Sequence, residues 1–527
     1  MRYSNKHFTL LVLFLILWGI QSMAQGISDY NIIWNTQSKN SSESMPCGGG
    51  DVGMNIWVEN GDILFYFSRS GTFDENNTLL KLGRIRLRLT PNPFEGEYFR
   101  QELKLEDGYI NIQGKGNNLS SDIRIWVDVF NPVINIDISN NKNLKTEVFY
   151  ENWRYQDRLL RKNESNQNSY KWAAPKDLVT KKDEILFDKN TIVFYHRNSG
   201  ETVFDATVKQ QGLDAVKSEI LNPLMNLTFG GLIEAKDFKA SEISTGIYTD
   251  TDYKAWKLES NKPIKNAQIK IKLHTSQTEN ITDWKSKLDK PIVSDLAKNR
   301  IWWKEFWNRS FIHIQSDKKE SKGCEIARNY QLFRYMLGCN AYGDSPTKFN
   351  GGLFTYDPVY TDSTLRFTPD FRKWGGGTHT AQNQRLVYFP MLRSGDTDMM
   401  KPQFDFYNRI LHTAELRSKT YWGHGGACFT EQIENFGLPN PSEYGWKRPE
   451  SYDKGMEYNA WLEYQWDTAL EFCFMILETE RYTGKDISEY LPLVESTLRF
   501  FDEHYQYLAR QRGQKALNEQ GKLVLYP

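Results

Sequence analysis

From Tyr30 to about Lys272 hydrophobic positions come in short runs, often alternating with polar ones. The runs MNIWV, DILFYFS, RIRLRLT, DIRIWVDV, VINIDIS, TIVFYH and QIKIKLH are rich in β-branched and aromatic residues, and Gly, Asn, Asp and Pro separate them. In RIRLRLT the period places Ile85, Leu87 and Leu89 on one face and Arg84, Arg86 and Arg88 on the other. That alternation predicts a strand half buried and half wet. So many strands predict a large antiparallel β-sandwich rather than a barrel with helical cover. The GGGDVG stretch near the start lacks the Gly-Lys-Ser/Thr of a phosphate-binding loop and stands between strands, which excludes that motif.

The period changes at Ser294. SDLAKNRIWWKEFWNRS brings Leu296, Ile301, Trp302, Phe306 and Trp307 onto one stripe, predicting a linker helix over Ser294–Asn308 that packs against both halves. Beyond Lys322 the spacing predicts helices over Cys324–Ala341, Thr380–Ser394, Met399–Thr420, Asn459–Thr483 and Asp486–Arg510, joined by long loops. The last two read as a hairpin, with Thr483-Gly484 closing one helix and Asp486 capping the next. The resulting division is a β domain over 25–280, a linker-helix region over 281–320 and a helical domain over 321–527. No repeat of the ankyrin or tetratricopeptide kind is present.

At 527 residues the chain is too long for one core. Its 66 basic and 66 acidic residues cancel, so no charge bias points to nucleic acid or an anionic membrane. Aromatics reach 14%, and rings with an apolar face and a polar tip suit either sugar binding or a large β core. Arg2 and Lys6 precede an apolar run from Phe8 to Ile20, and Ser22-Met23-Ala24 offers small residues for cleavage. This predicts an export signal over 1–24 and a secreted or periplasmic mature protein. The run is shorter than the roughly 20 residues a membrane span needs. Cys47, Cys324, Cys339, Cys428 and Cys473 are scattered without metal-ligand spacing, so buried thiols are expected rather than zinc or a disulfide framework.

The candidate chemistry lies between Asn350 and Gly437, where NGGLFTYDP, RKWGGGTHTAQNQRLVYFP and YWGHGGACFTEQIENFG fall between or beside helices. Glycines permit sharp turns or close approach to a ligand. Trp374 and Trp422 are candidate stacking faces; His379, His424, Asn383 and Arg385 are candidate polar contacts; Glu431 is a candidate carboxyl. Each also has a plain structural reading: the histidines as helix caps, Asn383 as a loop partner, and Glu431 with Glu434 as solvated acids of a first helical turn. Trp466-Asp467 reads as a packed indole beside a surface acid.

The order of these parts resembles the six-hairpin glycosidases, in particular proteins similar to glycoside hydrolase family 95. Within them it is similar to secreted proteins carrying the domain of unknown function 5703, recognised by a stretch like YNIIWNTQSKNSSESMPCGGGDVGMNIWVENGDILFYFSRSGTFDENN. The resemblance implies an (α/α)6 toroid after the β-sandwich, a carbohydrate substrate with α-linked sugars, inversion, and no cofactor. Laid on AQNQRLVYFP, the family motif Asn-x-Asn-x-Gln-Met-Asn-Tyr-Trp-Pro transfers only Asn383, implied to help activate water; Ala381, Arg385 and Val387 depart from it. The pair Thr430-Glu431 falls on a site-lining loop. About twelve helices are implied and about five are counted, so a partial toroid lacking its general acid and base is expected, with a non-catalytic glycan-binding protein as the alternative. A phosphorylase of the related family 65 type would need a basic pocket, for which Arg385 is the candidate.

Overall fold

A computed structural model describes residues 26–314, 321–445 and 447–525. The expected export signal lies outside them. Among the described residues no helix is long and apolar enough to cross a membrane.

The β-half is one antiparallel 15-stranded sheet rather than two separate layers. Its pivot is the 20-residue strand Val133–Asn152. The first part of this strand pairs with Leu119–Val127 and Ile264–Gln277, while the second pairs with Leu79–Thr90 and Thr251–Ser260. A single strand thus belongs to both layers, and the sheet curls over a shared core of Ile56, Phe65, Ile85, Ile125, Ile136 and Val148. Alternation alone detects each strand but not that one strand serves two layers.

The arginine face of Leu79–Thr90 is drier than its pattern suggests. Arg84 is 2% exposed; its Nε donates to Glu151 at 2.5 Å, and its guanidinium lies 4.0 Å from the Tyr248 ring centroid. Arg86, partly exposed, bridges Glu151 and Asp62, and Arg88 is exposed. Carboxylates on neighbouring strands make that burial tolerable, since a charge leaves water only when paired.

Two short helices, α1 (Val203–Gln210) and α2 (Ile281–Leu288), decorate the β-half. The linker is α3 (Leu296–Arg309), whose Trp302, Trp303, Phe306 and Trp307 are all buried. On one side Trp307 Nε1 donates to Leu105 O at 2.7 Å, and on the other Gly338 of α4 (Lys322–Gly338) packs against Phe306 and Trp303. The remaining helices are α5 (Ala381–Ser394), α6 (Lys401–Arg409), α7 (Leu411–Trp422), α8 (Pro441–Tyr444), α9 (Thr468–Thr483) and α10 (Leu491–Gln511).

Two expected helices are corrected. The stripe over Met399–Thr420 breaks into α6 and α7 at Ile410, a fully buried residue outside the helical region that packs against Gly437. Asn459–Trp466 is turn rather than helix. The Asn459 side chain accepts from Trp461 N at 3.0 Å and donates to Glu443, competing with the helical backbone.

Buried acids of the segment between α4 and α5 tie it to the sheet. Asp370 accepts from Trp153 Nε1 at 2.6 Å, Arg154 Nη1 at 2.7 Å and Lys81 N at 2.8 Å. Asp357 accepts from Ser41 at 2.5 Å and Tyr66 at 2.9 Å. Behind Arg154, Asp183 and Glu75 clasp His196 at 2.9 and 3.2 Å. None of the five cysteines is disulfide-bonded; four are buried and Cys324 is partly exposed.

Candidate active site

A short hairpin, Thr378–Thr380 paired with Gln432–Glu434, builds the site. It runs straight into α5. Ala381 N donates to Glu431 O at 2.8 Å, and Gln382 N donates to the Glu431 carboxylate at 3.0 Å. Glu431 therefore faces the unsatisfied first-turn amides of α5, where a helix favours a carboxylate. It is nonetheless 2% exposed, and burial pushes its pKa up to about 7; the Gln382 amide, Lys171 and Arg385 oppose that rise and Glu443 adds to it. The reading of Glu431 and Glu434 as solvated acids is thus excluded by their burial.

Glu431 belongs to a carboxyl cluster. Glu443, 2% exposed, lies 3.5 Å from Lys171 Nζ and accepts from Asn459 Nδ2 at 2.5 Å. Glu457 is 1% exposed, and neither carboxyl oxygen has a partner among the described residues. Burial raises its pKa well above the ordinary range; Arg417 opposes this, and Glu443 and Glu431 reinforce it. The cation among them, Lys171, arrives from the β-half on a left-handed turn (φ 45°). Its ammonium also donates to Gln432, and burial lowers its pKa despite Glu443, Glu434 and Glu431.

Glu434 has a different task. It accepts from Asn77 and Thr378 at 2.7 Å, from Asn440 at 2.5 Å, and from Ser169. Asn77 and Ser169 belong to the β-half, so Glu434 locks the hairpin to it. The glycines of KWGGGTHT serve the same junction. A Cβ on Gly376 would stand 2.0 Å from Leu79 N, and one on Gly377 2.1 Å from the Asn77 side chain. Their close approach is to the sheet.

The residues singled out in the sequence separate into groups. Asn383 is exposed on the first turn of α5, and Arg385, half-buried two residues further on, is paired with Glu471 of α9. Trp374 is 51% exposed and holds φ at 73°, strained for a tryptophan. His379 is buried against Phe406, neither ring nitrogen has a partner among the described residues, and burial keeps it neutral. Trp422 and His424 come together elsewhere. The indole is 7% exposed, donates to Asp453 at 2.9 Å and stacks on His424, whose Nε2 lies 3.0 Å from His504 Nδ1. They form an aromatic cluster with Trp466 and Phe500.

Sequence reasoning missed Lys171, Glu443 and Glu457. The available signal was weak: acids inside the glycine-aromatic loops NPSEYG and KGMEYN, without periodicity to mark burial. Among the described residues no group of His, Cys, Asp and Glu is placed to hold a metal ion.

The fold and site define a protein in which a curled β-sheet delivers a lysine into the loops of a helical half. The family profile described as "Domain of unknown function (DUF5703)" matches residues 33–312, more than half the chain, and the protein belongs to that family. A search among curated proteins finds no match. Among solved structures, a putative kojibiose phosphorylase from human microbiome is 12% identical over 86% of this chain and 56% of its own, with a TM-score of 0.45. A bacterial glucoamylase complexed with acarbose is 10% identical over 91% and 61%, with a TM-score of 0.36. A family GH92 alpha-mannosidase from Bacteroides thetaiotaomicron, in complex with mannoimidazole, is 9% identical over 73% and 49%, with a TM-score of 0.28. The chain spans between 49% and 61% of the length of these structures.

Proposed function

We propose that the protein is an exported glycoside hydrolase, or the N-terminal part of one, acting on α-linked sugars with inversion, and that Glu431 is its proton donor. One observation carries the proposal: Glu431 is a buried carboxyl whose pKa of about 7 lets it hold a proton at working pH. Leaving-group protonation in glycoside hydrolysis needs such a group. Its carboxylate accepts from Gln382 N at 3.0 Å, on the exposed turn bearing Gln382 and Asn383, so a sugar on that turn would approach the acid. Asn383 then orients the attacking water, whose proton must pass to a general base on the opposite face of the sugar, while Arg385 and the exposed Trp374 contact the sugar. His379, Trp422 and His424 support the loops.

The exposed aromatics Tyr458, Trp461 and Tyr464 beside the carboxyl cluster favour a second reading, glycan binding without hydrolysis. Incubation with a panel of α-linked fucosides, galactosides and glucosides separates the two. Hydrolysis predicts release of free sugar, first as the inverted anomer by proton NMR, and its loss in Glu431→Gln. Binding without release, unchanged in Glu431→Gln, establishes the second reading.

A further inference from the structure

A groove on the outer surface, at the junction of the two halves, has the chemistry of a second glycan site. It consists of two adjoining depressions of about 450 and 290 Å³ that share Gly212 and Lys454. Single ligand pockets span roughly 300–1,000 Å³, so each has room for about one or two sugar rings. Glu431, Glu443 and Glu457 line neither depression.

The walls are half-buried tyrosines: Tyr421 and Tyr507 at one end, Tyr452 at the other. Between them Arg448 is immobilised. Its guanidinium lies 3.8 Å from the Tyr444 ring centroid and donates to Tyr444 O and Asp453 O at 3.3 and 2.5 Å. The floor is fixed across the junction. Tyr421 donates to Gln211 O at 2.8 Å, Gln211 to Pro439 O at 3.0 Å, and Gln210 to Pro441 O at 3.1 Å. Hydrogen bonds from both halves therefore preform the groove, so little ordering is left for a ligand to impose. Its rim is polar and exposed, with Lys454, Lys209 and Gln210 beside Glu450.

Rings that offer flat apolar faces, framed by amides and cations, match the alternating C–H faces and hydroxyls of a sugar chain. Isolated surface tyrosines need no ligand, but three around a rigid double depression form a shaped surface. We propose that this groove binds a glycan chain apart from the Glu431 site, holding polymer while the other site engages a sugar end. The cationic rim admits uronate-bearing and neutral chains alike.

The test is affinity electrophoresis of the full chain through native gels containing galactomannan, arabinoxylan or polygalacturonate. At least one polymer is expected to retard the protein; retardation by polygalacturonate alone assigns the groove to acidic chains, and by the others to neutral ones. Tyr507→Ala is expected to weaken retardation about tenfold. Lys454→Ala, an exposed change that leaves the fold intact, weakens it severalfold, whereas Glu431→Gln leaves it unchanged. Migration unaffected by all three polymers overturns the proposal. So does retardation lost in Glu431→Gln but kept in both groove variants, which would put the glycan in the Glu431 site.

Discussion

Replacing Asp370 with alanine is expected to loosen the long segment that leads into the site. The carboxylate is 3% exposed and accepts from Trp153 Nε1, Arg154 Nη1 and Lys81 N at 2.6 to 2.8 Å. Truncation strands all three donor groups and leaves Asp183, 2.7 Å away, as the one carboxylate paired with Arg154 among the described residues. Breaking a buried ion pair from one side costs about 3–5 kcal/mol. An unfolding entropy of about 2.1 cal/mol/K per residue gives roughly 1 kcal/mol/K for a chain of this size, so Tm falls by about 3–5 °C. Asp370→Asn keeps an acceptor oxygen and loses only the charge, so it should cost about 1–2 kcal/mol, near the worth of charge-assisted over neutral hydrogen bonds. Thermal melting gives the size, and hydrogen exchange over residues 355–374 gives the place, with amides there losing protection before those of the sheet. An alanine variant that melts within about a degree of the parent, with exchange unchanged there, would refute the view that Asp370 pins this segment.

Other outcomes follow from the same structure. His196 has its pKa raised from 6.5 to about 10, because hydrogen bonds to Asp183 and Glu75 outweigh the opposing effect of burial. The folded value exceeds the unfolded one, so the stabilisation is complete below pH 6.5 and is lost as pH climbs to 10. Tm should fall over that range, and the fall should flatten in His196→Gln. Glu431, raised from 4.5 to about 7, contributes with the same sign, full below pH 4.5 and gone above 7. Glu431→Gln should therefore gain stability relative to the parent between pH 5 and 8, by up to about 3 kcal/mol in denaturant titrations. Gly376→Ala drives a Cβ to 2.0 Å from the Leu79 backbone, which cannot rotate away. It should cost about 1–3 kcal/mol or more, read as a lower urea midpoint.

Much of the scaffold was legible in the sequence because burial enforces periodicity. RIRLRLT showed its apolar face through Ile85, Leu87 and Leu89, and the linker helix showed its stripe of Trp302, Phe306 and Trp307. What periodicity does not carry is which polar residues are dry. Arg84 looks solvent-facing until Glu151 and Tyr248 close over it. Glu431 and Glu434, three residues apart, look alike as letters. One is buried beneath a helix end, while the other anchors the β-half through Asn77 and Ser169. Lys171 was out of reach for the same reason: its partners Gln432 and Glu443 lie 261 and 272 residues away, a pairing that no local pattern reports. Trp422, an aromatic beside glycines, likewise makes contacts its letters do not show, its indole donating to Asp453 and stacking on His424.

The most direct test of a proton-holding Glu431 needs no substrate. Infrared difference spectra are recorded during a pH titration, subtracting Glu431→Gln from the parent to isolate one carboxyl. A protonated C=O band disappearing with a midpoint near 7 is the predicted result. A band already gone by about pH 5 would mean an ordinary carboxylate, and Glu431 would not be the proton donor.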